Sequence, residues 1–255
     1  MNLTDLTWKR VADLPRETPV VIPVAALEQH GHHLPVFTDS MLLGEVVRRV
    51  SETLASEALF VPLMWLGNSD HHLDFPGSMS AAPRNYIDLL CRMADNFLGA
   101  GFKRIVFLNG HGGNEVPGRQ AVFELRQRNR SRSDLLLLFA TYWDFGDPTK
   151  GPIPLHQKQM GHACEWETSM IQRIAPHLVG PVENLEDVSF EFGFGKAYRG
   201  WVTQDRTVTG HIGYPRFATP DKGEQLFGTY AAGVTAFLRE VVSWDGCTWK
   251  TLPSE

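Results

Sequence analysis

Apolar runs alternate with amphipathic stretches along most of the chain. The run Val20–Leu27 is almost unbroken, as a buried strand requires, and runs at 58–64, 104–109 and 135–141 predict three more strands. Apolar positions at helical spacing predict helices over 40–56, 84–99, 115–130, 163–174 and 221–242. In the first of these Leu42, Leu43, Val46, Val47 and Val50 form the apolar face, and Asp39 is the expected N-cap. Strand–helix alternation of this kind builds βαβ units, so the expected fold is α/β, with a mostly parallel sheet and helices on both faces. No linker, repeat or low-complexity tract divides the chain, which predicts one domain over 1–255. The stretch 180–220, with Phe192-Gly193-Phe194-Gly195-Lys196, Trp201 and Gly210-His211-Ile212-Gly213, is irregular and reads as a substrate lid or a subunit contact.

Composition narrows the class. A chain of 255 residues that is 43% hydrophobic can bury a sizeable core, which excludes disorder. A net charge of −5 with a pI near 6.1 argues against nucleic-acid or membrane-surface partners. The arginines between Arg126 and Arg132 read as a solvated helix end, where cations complement the dipole. Cys91, Cys164 and Cys247 are far apart and form no CxxC pattern, as in a reducing compartment; Cys164 reads as a small buried side chain. The first ten residues hold no signal-peptide core, and no apolar run reaches about 18 residues, so a cytoplasmic protein without a membrane span is expected.

The chemistry is concentrated in three segments. Glu28-Gln29-His30-Gly31-His32-His33 and Asp39 follow the first strand, at the carboxyl end where open α/β sheets place their sites. Extended backbone would put Glu28 and His30 on one side, with Asp39 returning after a turn, as half of a metal site. One of His32 and His33 is expected behind the ligands or on the surface. Asn109-Gly110-His111-Gly112-Gly113-Asn114-Glu115 follows the third strand, its glycines allowing close backbone approach and Glu115 starting a helix. In the third, His162 and Glu167 would lie about 140° apart on a helix, so His162 is expected in the loop before it. Mixed imidazole and carboxylate ligands suit zinc, manganese or iron better than calcium. Glu28, His30, Asp39, His111 and Glu167 suffice for two divalent ions, zinc foremost, with Asp39 as the bridge. Asp70, His71 and His72 read as an entrance lining or as a turn before Pro76. With no GxSxG elbow, a serine hydrolase lacks its nucleophile.

Glu28-x-His30-Gly31-x-x-Leu34-Pro35 with Asp39, then Asn109-Gly110-His111-Gly112-Gly113-Asn114, then His162-x-x-x-x-Glu167-Thr168-Ser169, resembles the creatininase (creatinine amidohydrolase) family. Supporting segments are His72–Ser78 and Gly213-Tyr214-Pro215, and the similarity runs over about 20–240. The resemblance implies a three-layer α/β/α sandwich, a binuclear metal centre, hydrolysis of amide-type C–N bonds outside ordinary proteolysis, a small-molecule amide substrate and a homo-oligomer, often a hexamer. It implies Glu28, His30, Asp39 and His111 as metal ligands, with Glu167 completing the site. It implies His162 as acid–base catalyst, with a metal-bridging hydroxide attacking the carbonyl. Creatinine-hydrolysing members carry an aromatic residue and a glutamate ligand where this chain has Gly112 and Gly113. They carry a tryptophan where it has Lys158, while Trp143 matches another aromatic. The glycines would leave room beside the metals, so an acyclic or larger amide is expected in place of creatinine. The rival readings are a binuclear-metal phosphoesterase, with the Gly112 and Gly113 amides holding phosphate, and a non-catalytic metal-binding scaffold.

Overall fold

The buried runs pair as four parallel strands, β1 (Val20–Val24), β2 (Leu59–Phe60), β3 (Arg104–Asn109) and β4 (Leu136–Thr141), in the order β2-β1-β3-β4. In register, Val20 lies opposite Ile105 and Arg104 opposite Leu136. This computed structural model describes residues 1–191, 193–194 and 197–249; Phe192, Gly195 and Lys196 of the irregular segment lie outside them. Among the described residues, six α-helices accompany the sheet: α1 (Trp8–Ala12), α2 (Thr38–Thr53), α3 (Pro83–Gly99), α4 (Glu115–Arg128), α5 (Glu165–Ile174) and α6 (Pro220–Ser243).

Side chains alternate across each strand, and the core divides accordingly. Val20, Ile22, Val24, Ile105 and Phe107 pack with Tyr86 and Leu90 of α3 and with Ala121 and Leu125 of α4. Val21, Val106 and Leu108 pack with Leu42 and Val46 of α2, Met170 of α5 and Leu226 and Tyr230 of α6. These are the layers of an α/β/α sandwich. Each fully buried aliphatic side chain contributes about 1.5–3 kcal/mol. Both layers therefore tie the strand ends firmly in place.

Three boundaries differ from expectation, and each difference bears on the site. β1 stops at Val24 rather than 27, so the chain leaves the sheet before it reaches Glu28. β2 holds only two of the seven predicted residues; Pro62 has no N–H to continue the ladder, though Met64 still bonds to Pro23. Helix α2 begins at Thr38 behind Phe37, so Asp39 is in its first turn and is not the N-cap. Helix α5 starts at Glu165 and leaves His162 in the preceding loop, as the spacing predicts. Between them Ala163 adopts φ +49°, a left-handed conformation that is costly for a residue with a Cβ and turns the chain back. Among the described residues, no helix is long and apolar enough to cross a membrane.

Candidate metal centre

The third predicted cluster and the first two meet at the carboxyl ends of β1 and β3. Asn109 and Asn114 shape the loop that carries His111: the Asn109 amide donates to the His111 carbonyl at 2.8 Å and its oxygen accepts from the His111 N–H at 3.1 Å. Asn114 donates to the Ala25 carbonyl at 3.0 Å and accepts from the Asn68 N–H at 2.9 Å, so the loop is clamped to the end of β1. A Cβ on Gly110 would come within 2.8 Å of Leu43 Cβ, so this glycine lets the loop lie close to α2 and Asp39.

Glu28, His30, Asp39, His111 and Glu167 are all buried, and the structure brings them together. Asp39 Oδ1 is 3.1 Å from His30 Nε2, and its Oδ2 is 3.1 Å from His111 Nδ1. Glu28 Oε2 is 3.2 Å from His111 Nε2, and Glu167 Oε1 is 3.7 Å from His30 Nε2. His162 joins the same cluster, its Nδ1 3.5 Å from Glu28 Oε1 and its side chain 14% exposed. One residue was missed from the candidate ligands: His72 Nε2 lies 3.2 Å from Glu28 Oε1 and is buried, not at an entrance. Among His32 and His33, His33 is the buried one, with its Nε2 3.0 Å from Thr168 Oγ1 behind the centre. Of the irregular segment, Ile212 exchanges main-chain hydrogen bonds with His162 at 2.7 and 3.0 Å, forming a wall of the site.

The hydrogen bonds of the histidines show what the cluster is built for. The main-chain carbonyls of Glu28, Asn68 and Gln29 lie 3.2, 3.0 and 2.8 Å from His30 Nδ1, His111 Nε2 and His162 Nε2. A carbonyl only accepts, so each of those nitrogens carries its hydrogen. The opposite nitrogen of each ring then faces the carboxylates. This is how metal-ligating histidines are held, the outer nitrogen fixing the tautomer and the inner one free to ligate. On the other side, Glu28 Oε1 and Oε2, Asp39 Oδ2 and Glu167 Oε2 are buried and accept no hydrogen bond. Buried carboxylate oxygens without partners are costly, and a divalent cation removes that cost. Among the described residues, three sets of donor atoms lie close enough to hold one: Glu28/Asp39/His111, His30/His162/Glu167 and Glu28/His72/His162. The residues fit a divalent metal.

Electrostatics agree. Burial works against imidazolium at His30, yet Asp39 and Glu167 hold its pKa well above the usual value. At His111 burial is likewise outweighed, chiefly by Glu28 and Asp39, and the pKa rises to about 9. Protons thus supply there the positive charge that a metal brings. Burial raises Glu167, whereas His30 and His111 overcome the same effect at Asp39 and lower it. His162 and His72 are kept neutral, mainly by burial, with the His72 value pushed down to about 2.

The two glycines after His111 do not do the same thing. A Cβ at Gly112 would meet nothing within 4 Å, so there is space beside it. A Cβ at Gly113 would lie 2.2 Å from the Asn68 carbonyl oxygen, 2.4 Å from His111 Nε2 and 2.9 Å from His71 Cε1. The expectation of open room therefore holds only at Gly112. Gly113 is filled by the hydrogen bond that orients His111.

The family model described as "Creatininase: Creatinine amidohydrolase" matches residues 4–238. A mycofactocin precursor peptide peptidase of Mycolicibacterium smegmatis is 36% identical over 226 residues, covering 84% of this chain and 81% of its own. A creatinine amidohydrolase of Pseudomonas putida is 27% identical, covering 92% and 95%. A solved mutant creatininase described as of Zn-Zn type superposes with a TM-score of 0.79 over 95% of this chain and 98% of its own, at 23% identity.

Proposed function

This chain belongs to the creatininase (creatinine amidohydrolase) family of metal-dependent C–N hydrolases, and we propose that it cleaves an acyclic or extended amide at a centre of two divalent ions, zinc foremost. The observation that carries this is the set of three histidines whose outer nitrogens are tied to main-chain carbonyls, in a cluster where four buried carboxylate oxygens have no hydrogen-bond partner. Glu28, Asp39 and His111 would hold one ion, and His30, Asp39 and Glu167 the other. Bound there, the ions would polarise the substrate carbonyl and bring the pKa of water towards about 7.

His162 does the proton transfer. Its Nδ1 is the nitrogen without a hydrogen, and burial keeps the ring neutral at physiological pH. It takes a proton from the water as that oxygen bonds to the carbonyl carbon. It returns the proton to the nitrogen as the C–N bond breaks, a role that typically accelerates reaction by about 10²–10⁴-fold.

A cavity of about 370 Å³ lined by Trp143, Asp144, Lys158, Met160 and Trp166 supports a substrate longer than creatinine. Its wall includes the residue just before Glu167, and the indole N–H of Trp166 is buried without a partner. Similarity to a relative described as a peptide peptidase supports the same reading. Val116 and Phe123, exposed seven residues apart on α4, would give a homo-oligomer a face to bury, and light scattering reads the copy number.

The test is elemental analysis of protein purified without chelator, followed by a screen of amides, formamides and short peptides. About two divalent ions per chain and turnover of an amide better than of creatinine are expected. No bound metal after adding zinc or manganese, or activity on phosphate esters alone, would overturn the proposal.

A further inference from the structure

Among the described residues β4 is the last strand of the sheet, and no strand pairs with its outer side. The Leu136 N–H donates at 2.9 Å to the carbonyl of Lys103, just before β3. Main-chain groups of successive strand residues point to opposite edges, so those of Leu137 and Phe139 point away from β3. Among the described residues they have no hydrogen-bond partner. Natural proteins guard such an edge with charge, proline or a bulge. Leu136–Thr141 carries none of the three, over about 20 Å of strand.

Helix α4 rests on the same strand and leaves a matching stripe open. A Cβ on Gly118 would lie 2.0 Å from the Phe139 ring, so this glycine seats the helix on β4. One side of α4 is occupied by α3, with Glu124 paired to Arg84 and Arg128 to Asp95. Val116, Arg119, Phe123 and Arg126 recur at three- and four-residue intervals and share the other side. There Val116 is 75% exposed and Phe123 60%.

Charge is sorted along this face. Arg126, Arg130 and Arg132 stand at the amino end of β4, and Arg130 bonds only to Gln127. At the carboxyl end Thr141 Oγ1 donates to Glu115 at 3.5 Å. Asp144 follows, with no hydrogen bond or ion pair among the described residues. A two-fold axis reverses the strand and sets each end against its opposite. A parallel neighbour would set like charge against like.

We infer that β4 pairs antiparallel with β4 of a second copy, making one continuous sheet. Val116 and Phe123 are buried alongside, and Asp144 faces Arg130 of the partner subunit. The cavity beside α5 begins at Trp143, just past the end of β4, so the second copy walls one side of it. That consequence for substrates rests on the amidohydrolase reading; the pairing itself does not.

Light scattering and sedimentation of the zinc-loaded full chain read the copy number, and circular dichroism shows whether each variant folds. An even number of copies is expected. Leu137→Pro removes an N–H that β3 does not use and should halve that number. Phe123→Asp, at an exposed position, should do the same. Asp144→Arg and Arg130→Asp should each weaken association about tenfold, and together return it to within about threefold of the unsubstituted protein. A monomer at every concentration, or an odd number of copies, overturns the inference. So does an unchanged copy number in a folded Leu137→Pro or in Phe123→Asp. If Leu137→Pro does not fold, the charge variants decide, and no recovery in their combination rules the antiparallel pairing out. Because none of these measurements needs a substrate, failure to find an amide would count against the function and leave the assembly result standing.

Discussion

Asp39 offers one oxygen to each of two histidines that come from different strand ends: Oδ1 to His30 Nε2 and Oδ2 to His111 Nδ1, both at 3.1 Å. No other carboxylate of the cluster contacts both. Asp39→Asn replaces one of those oxygens with a donor and leaves the other as a neutral amide oxygen, so one half of the centre loses a ligand atom and the other loses the carboxylate charge. Metal content is expected to fall from about two ions per chain to one or none, and amide turnover by more than about 100-fold, the scale on which even outer partners of a ligand act. Elemental analysis checks it; two ions retained would remove Asp39 from the bridge.

Metal and proton compete for the same charge. His111, with a pKa raised to about 9, and His30, raised well above its usual value, are protonated at pH 7 without metal. Each must lose its proton to ligate, so affinity is expected to rise with pH up to about 9 and to fall as pH drops. The slope is about tenfold per pH unit for each proton released. Calorimetric titration with zinc at pH 7 in buffers of different ionisation heat counts the protons; about two are expected, and none would contradict the assignment.

Two adjacent glycines should respond oppositely to the same change. Gly112→Ala adds a methyl group into open space and is expected to alter stability by no more than about 0.5 kcal/mol. Gly113→Ala drives a methyl group into the Asn68–His111 hydrogen bond and is expected to cost about 1–3 kcal/mol and to lower metal occupancy. Thermal melts with and without added metal separate the two. Equal tolerance would mean that Gly113 is not needed for the orientation of His111.

The cavity wall depends on a buried ion pair. Glu165 is fully buried, with Lys222 Nζ 2.6 Å from its Oε1 and the N–H groups of His156 and Gln157 donating at 3.0 and 2.7 Å. Removing the lysine alone strands the carboxylate, so Lys222→Met is expected to cost about 3 kcal/mol in urea unfolding. Glu165→Gln combined with Lys222→Met should recover at least half of it. The single variant should also lower kcat/KM, since the segment Glu165 pins runs into Lys158 and Met160. No recovery in the double variant would show that the pair is not the source of the loss.

The sheet was legible because parallel strands buried on both faces read as continuous apolar runs, and Val20–Val24 and Arg104–Asn109 are buried throughout. The six candidate site residues, which the structure brings into one cluster, stood out in the sequence because they fall in the segments that follow β1 and β3 or lead into α2 and α5. What pattern alone could not place was set by distant contacts. Asp39 read both as a ligand and as an N-cap, and the cap reading failed because the helix starts one residue earlier, at Thr38 behind Phe37. His72 looked like part of a turn because its neighbours are Glu28 and Thr203, 44 and 131 positions away. The asymmetry between Gly112 and Gly113 depends on Asn68, which carried no signal at all.

The three carbonyls that orient His30, His111 and His162 belong to the main chain at Glu28, Asn68 and Gln29. No codon change can delete a carbonyl oxygen. The scaffolding of the centre is thus insulated from point mutation in a way that side-chain scaffolding is not, while the cavity at Trp143, Lys158 and Met160 is made of replaceable side chains. A library confined to those cavity positions could retarget this enzyme to new amides while the part that generates the reaction stays fixed.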